Sequence, residues 1–391
     1  MKKVLVFCIS LLTFHFHTHA ENYFIKSEAD LKNVIPKLIP GDVVTIANGN
    51  YQGWSVDITT KGTASKPILI QAETPKGVIF SGEVNLVLFK ITGHYITLTG
   101  MVFNNCSLNK KEGKSGVLIE LKDAVNCKIS NCSFVKNQSK AQFMPLVVIS
   151  GNGFANTVAE CLFESNIDSQ DVQVKITKES CPQRTLIHQN IFQNKKKVSW
   201  QNGNGGECIQ IGQDPVLLGT IEANTIVSKN TFISCNGENE IISNKSSKNS
   251  YLNNVFSAND GELVMRGGHD CIIDQNIFDR GTGGIRLNGT GHSVTNNKLN
   301  HIKTAIRLMY GMAKGKETIG FYITASNCTI KNNVITNATT GILVGDSKDA
   351  DWTGKFDIKR YPSPVIQNIA PFDNQIEGNK ISSTVHPITN N

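Results

Sequence analysis

Apolar positions in this chain recur in short phrases rather than along helical stripes. A polar residue, usually asparagine, is followed by one variable residue and then a large apolar one. Examples are Asn190-Ile191-Phe192, Asn230-Thr231-Phe232, Asn254-Val255-Phe256, Asn276-Ile277-Phe278, Asn297-Lys298-Leu299, Asn333-Val334-Ile335 and Asn379-Lys380-Ile381, with Cys161-Leu162-Phe163 and Asn131-Cys132-Ser133-Phe134 as variants. From Phe134 onward the apolar residues are 29, 29, 40, 24, 22, 21, 36 and 46 residues apart. A unit this short, holding two or three strands of about 3–5 residues, cannot bury its apolar face alone, but stacked units can. The pattern predicts an all-β, single-domain right-handed parallel β-helix, a solenoid, over residues 21–391. Longer intervals are then coils with loop insertions, which gather on one side and shape a groove. A β-propeller would need longer, more uniform repeats with hairpin turns. Ser27–Leu38 departs from the repeat and predicts a short N-terminal capping helix, with Ser27 as N-cap and Leu31, Val34, Ile35 and Leu38 apolar.

Residues 1–20 carry Lys2 and Lys3, an apolar run from Val4 to Leu12, and small side chains at Thr18 and Ala20, the pattern of a cleaved export signal. That run is too short for a membrane span, and no later stretch approaches the ~20 apolar residues required. The expectation is a secreted or periplasmic protein. Formal charge falls from +7 to +5 once the two lysines are removed, a modest basic excess that suits a polyanionic partner. Nine cysteines then remain, and Cys127, Cys271 and Cys328 each lie seven residues before a repeat apolar position. They read as a buried thiol stack rather than a disulfide framework.

Equivalent residues on neighbouring coils lie about 4.8 Å apart. Lys245, Arg266, Arg286 and Arg307 are separated by 21, 20 and 21 residues, so one face is expected to carry four stacked cations. Such a column is either solvated surface or, because like charges repel at that spacing, a feature that a bound polyanion offsets. Just before it, Glu238 and Glu240 project to the same side of a strand. Paired carboxylates serve as a hydrolytic acid and base or as ligands of a hard cation; side-by-side placement favours the cation. Asn204-Gly205-Gly206-Glu207 adds an amide oxygen and another carboxylate on a glycine-rich turn. His292 occupies the slot of Cys271 and Cys328, and reads first as a packed histidine and second as a substrate contact.

Several segments resemble polysaccharide lyase family 6, the alginate lyases and chondroitinase B: Asn-Gly-Gly-Glu at 204–207, Glu-Asn-Glu-Ile-Ile-Ser-Asn-Lys-Ser-Ser-Lys-Asn at 238–249, Leu-Val-Met-Arg-Gly-Gly at 263–268 and Gly-Gly-Ile-Arg-Leu-Asn-Gly at 283–289. The resemblance implies Ca2+ held by Glu238, Glu240 and Asn204, with Glu207 as a direct ligand or behind one. It further implies Lys245 as general base, Arg266 at the leaving glycosidic oxygen, and Arg286 and Arg307 on substrate carboxylates. His269 is close enough to Arg266 in sequence to reach the substrate. Two positions depart from the family: Arg266-Gly267-Gly268 stands where many relatives have Arg-His-Gly, and Gln210 where an arginine is common. The expected activity is calcium-assisted β-elimination of an acidic polysaccharide, alginate before a sulfated glycosaminoglycan, by a monomer with no nucleic-acid partner. A polygalacturonase-type hydrolase would use clustered aspartates, and the chain has no Asp-Asp pair. A non-catalytic glycan-binding solenoid is the remaining alternative.

Overall fold

The computed structural model describes residues 20–214, 216 and 219–391, so the leader read at 1–20 lies outside the described residues except for Ala20. Parallel strands stack into a solenoid. One sheet holds thirteen strands in chain order of coils, from Asn22–Ile25 through Lys128–Ser130 and Ile272–Asp274 to Gln375–Glu377. The other two faces alternate along the chain, one carrying the repeat phrase and the other, beginning at Val56–Ile58 and Val87–Ile91, the charged residues. Among the described residues, no helix is long and apolar enough to cross a membrane.

Register bears out the repeat. Phe134 pairs with Phe163, then Phe192, Phe232, Phe256, Phe278, Leu299, Ile335 and Ile381, so each interval read from the sequence is one coil. Successive rings from Phe103 to Phe278 stack with centroids 4.4 to 5.0 Å apart, the spacing that the strand ladder imposes. The asparagines form a second ladder inside the corner. Asn276 Oδ1 accepts the Asn254 backbone N–H at 2.9 Å, and its Nδ2 donates to the Tyr251 carbonyl at 2.9 Å. Amide side chains thus satisfy backbone groups that the bend takes out of the sheet. The residue before each ladder position is left-handed: Asn253 (φ 56°), Gln275 (φ 59°) and Asn296 (φ 57°) make the turn that asparagine tolerates. Asn131 (φ 51°) is such a corner residue, and Cys132 rather than Asn131 fills the ladder slot in its coil.

The thiol stack does not form. Cys127, Cys271 and Cys328 share one interior column, yet Asn156 follows Cys127, and His292 separates the other two. The slot selects for hydrogen bonding as well as size. Cys127 and Cys271 donate their backbone N–H groups to Asn156 Oδ1 and His292 Nδ1 at 3.0 and 3.1 Å.

The capping helix is present as Glu28–Val34 followed by a 3-10 turn, Ile35–Lys37. Ser27 Oγ accepts the Asp30 N–H at 3.1 Å, Pro36 stops the α-helix, and Leu31, Ile35 and Leu38 are buried against the first coils.

Candidate active site

The charged face is built on Gln170–Val174, Ile209–Ile211, Glu240–Asn244 and Glu262–Met265, adjacent in parallel. The Cys208 N–H donates to Ile241 O, which sets Glu207 beside Glu240, and Glu240 pairs with Glu262 on the next coil. Glu238 arrives from the preceding turn. Carboxylate oxygens of Glu207, Glu238 and Glu240, all buried, lie within 4.8 Å of one another. Glu238 Oε2 accepts the N–H groups of Gly205 and Gly206. That approach needs glycine: a Cβ on Gly206 would meet the Gly237 backbone at 2.6 Å, and one on Gly237 would meet Gly206 O at 2.2 Å.

Burial, then repulsion from Glu207 and Glu240, pushes the Glu238 carboxyl up to about 9. Burial also opposes charge on Glu240, but Arg266, Lys245 and Arg286 overcome it and hold that carboxyl at about 2. Glu240 Oε2 is buried and without a hydrogen-bond partner. Crowded carboxylates, one with an idle oxygen, fit a hard divalent cation such as Ca2+, which prefers oxygen donors and offsets their repulsion. Asn204 is exposed and lines the same cleft, its carbonyl accepting Gln142 Nε2 at 2.9 Å.

The column of four cations is corrected. Lys245 follows Asn244 and Arg266 follows Met265, and these two are paired across adjacent coils. Arg286 instead pairs with Val264, two residues before Arg266, and with Arg307 on its other side. The coil there is 22 residues long, so a 20-residue spacing lands two positions short. The expected repulsion is offset in part, because carboxylates lie among the cations: Lys245 Nζ is 3.9 Å from Glu207, and Arg266 and Arg286 are each 3.7 Å from Glu240. Burial, then Arg266, lowers the Lys245 ammonium below the ordinary lysine range.

Arg307, expected on a substrate carboxylate, is not a free cation. It is paired with Glu262 and, at 2.7 Å, with Asp346, which bind its guanidinium in place. His269 turns to Asp270, with Nδ1 to Oδ2 at 2.9 Å, and Asp270 is bridged by Lys316 at 2.7 Å; it does not line the cleft. His292 is fully buried, with Nδ1 on the Cys271 N–H and Nε2 facing Asn288 O at 3.1 Å, which leaves no nitrogen for a substrate.

Sequence reasoning missed buried Gln170 and Gln173, and marked Gln210 only as a departure from the family. Gln210 Nε2 and Gln170 Nε2 donate to the two oxygens of Glu207 at 2.7 and 2.9 Å, and Gln173 Nε2 donates to Gln210 Oε1 at 2.8 Å. Gln173 and Gln210 are register partners, a repeat visible once coils are aligned. Buried Asp171 and Lys195, 2.9 Å apart, were missed as well. Aromatic residues were the larger omission: Phe143, Phe321, Phe356 and Tyr361 line the cleft of about 540 Å³ together with Lys245, Arg266, Gln173 and Lys175. Phe321 comes from the insertion in the 36-residue coil, Phe356 and Tyr361 from that in the 46-residue coil, so long coils do shape the groove.

Fold and site together define a β-helix protein with a charged cleft along one solenoid face. Its sequence matches the family model described as chondroitinase B over residues 25–390, and the chain belongs to that family, polysaccharide lyase family 6. A mannuronic acid-specific family 6 lyase from human gut microbiota is 26% identical, with TM-score 0.74, over 84% of this chain and 76% of that one. The alginate lyase AlyGC is 25% identical with TM-score 0.76, over 94% of this chain and 51% of AlyGC. A family 6 lyase from Pseudopedobacter saltans, 21% identical, shares the fold with TM-score 0.73 over 93% and 92% of the two chains. No protein of curated function matches.

Proposed function

We propose that this polysaccharide lyase is an exported enzyme that cleaves alginate by calcium-assisted β-elimination, leaving 4,5-unsaturated uronate ends. The observation that carries this reading is geometric: Lys245 is buried one strand from Arg266, with its Nζ 3.9 Å from Glu207 of a buried carboxylate triad. Glu207, Glu238 and Glu240, with Asn204 at the rim, would hold Ca2+. When bound there, the ion would neutralise a uronate carboxylate and stabilise the negative charge that spreads onto it after loss of the adjacent C5 proton.

Lys245 Nζ is the base that takes this proton. Burial and Arg266 favour its neutral form, as a proton acceptor near neutrality requires. Glu207 fixes the ammonium that results, and the glutamine pair fixes Glu207. Arg266 remains charged throughout, since Glu240 raises its pKa against the effect of burial, so it acts by electrostatic attraction on the leaving glycosidic oxygen. The C–H and C–O bonds break, the C4–C5 double bond forms, and the oxygen leaves as a hydroxyl after gaining a proton from solvent. Arg286 is the further cation for a substrate carboxylate.

Alginate is preferred because two solved relatives at 25–26% identity are described as acting on mannuronic acid or alginate. The test is incubation with polymannuronate, polyguluronate and dermatan sulfate, with Ca2+ present, following the ultraviolet absorbance of the unsaturated uronate. A rise on alginate blocks supports the reading; a rise on dermatan sulfate alone reassigns the substrate; no rise on any removes the lyase assignment.

A further inference from the structure

Arg266 carries its charge on a long, flexible stem, and the carboxylate nearest to it, Glu240, also belongs to the metal-binding triad. A carboxylate turned toward a cation holds a guanidinium less firmly. Something else must fix the arginine.

The guanidinium carbon of Arg266 lies 5.4 Å from the Phe321 ring centre and 5.5 Å from that of Tyr322, and the two rings meet at 76°. Its Nη2 donates to Tyr322 Oη at 3.3 Å. Arg286 rests against the same tyrosine, 5.7 Å from its centre. Aromatic faces attract a guanidinium without competing for a metal. The corner is itself buttressed by the next coil: Phe356 stacks on Phe321 at 4.4 Å, Ser363 Oγ accepts the Phe321 N–H at 2.8 Å, and Trp352 packs 5.2 Å from Tyr322. Tyr322 is buried and does not line the cleft, so it acts through the arginine.

We propose that Tyr322, with Phe321, is a positioning residue that sets Arg266 for the elimination step, so that insertions from two later coils complete a site built on earlier ones. This rests on the lyase reading for its kinetic consequence, but not for its structural one. Two readouts test it with Ca2+ present: kcat and KM on alginate, and modification of Arg266 by phenylglyoxal, located by peptide mass. In Tyr322→Leu, kcat is expected to fall about tenfold or more while KM stays within about threefold, because a displaced catalytic group costs rate rather than binding. Arg266 should be modified faster than in the native chain. Tyr322→Phe keeps the ring and should restore most of the rate and protection. Unchanged Arg266 modification in Tyr322→Leu overturns the proposal, as does faster modification with kcat within about twofold of native. If circular dichroism shows Tyr322→Leu unfolded, Phe321→Ala, at a half-buried residue that itself lines the cleft, is held to the kcat and Arg266-modification readings without the KM criterion. An enzyme inactive on every uronate would sink the proposed function and leave the modification rate to decide the role of Tyr322.

Discussion

Lys245 and Arg266 follow directly on Asn244 and Met265, which pair across adjacent coils, so the lysine and the arginine occupy equivalent positions one strand apart. Burial and then the arginine lower the lysine's pKa, and Glu240 answers the arginine's charge, which makes the three interdependent.

Removing the proposed base should separate chemistry from folding. Lys245→Ala is expected to abolish turnover on alginate with circular dichroism and calcium binding retained. Residual activity of about a tenth of native would refute the assignment, since loss of a general base costs on the order of 10²–10⁴ in rate.

Calcium should stabilise the folded chain by binding it in preference to the unfolded one. At a hundredfold excess over Kd this amounts to about 2.7 kcal/mol, read as a rise in thermal midpoint over the chelated protein. Glu240→Ala should lose activity that added calcium partly restores, with a smaller calcium-dependent rise. A native midpoint indifferent to both chelator and calcium would count against the metal site.

Arg307 separates a structural cation from a substrate contact. Its replacement by alanine strands the buried Glu262 and frees Asp346, an expected loss of about 1–3 kcal/mol in denaturant unfolding. KM should change little. A KM rise of about tenfold with stability intact would return Arg307 to the substrate.

His292 predicts a pH dependence. Burial lowers its pKa to about 4 from 6.5, and Nδ1 is needed to accept the Cys271 N–H. Between those values the unfolded chain binds the proton and the folded chain does not. The histidine's contribution is therefore complete above about pH 6.5 and is lost as pH falls toward and below 4, by on the order of 3 kcal/mol. Asn156 and Asn374 fill the same column, with Oδ1 accepting in the same way, so His292→Asn is expected to fold and to flatten stability between pH 4.5 and 7. Unaltered pH dependence would move that titration elsewhere.

What the sequence determined by itself is what one coil repeats. Strand pairing copies the apolar slot and the asparagine slot from coil to coil, so the solenoid, its coil lengths and its capped first turn were legible, as were Lys245, Arg266 and the glutamates that the family resemblance and a strand's alternation brought together. Register and loop path were not. A coil two residues longer than the spacing assumed displaced Arg286, and the partners of Arg307 lie 45 residues before it and 39 after it. The thiol column became a mixed one because its slot is defined by a hydrogen bond between coils, which residue size alone does not reveal. Tyr322 reaches Arg266 across 56 residues of chain because an insertion folds back along the solenoid. Such contacts obey no period, and only the packed structure decides them.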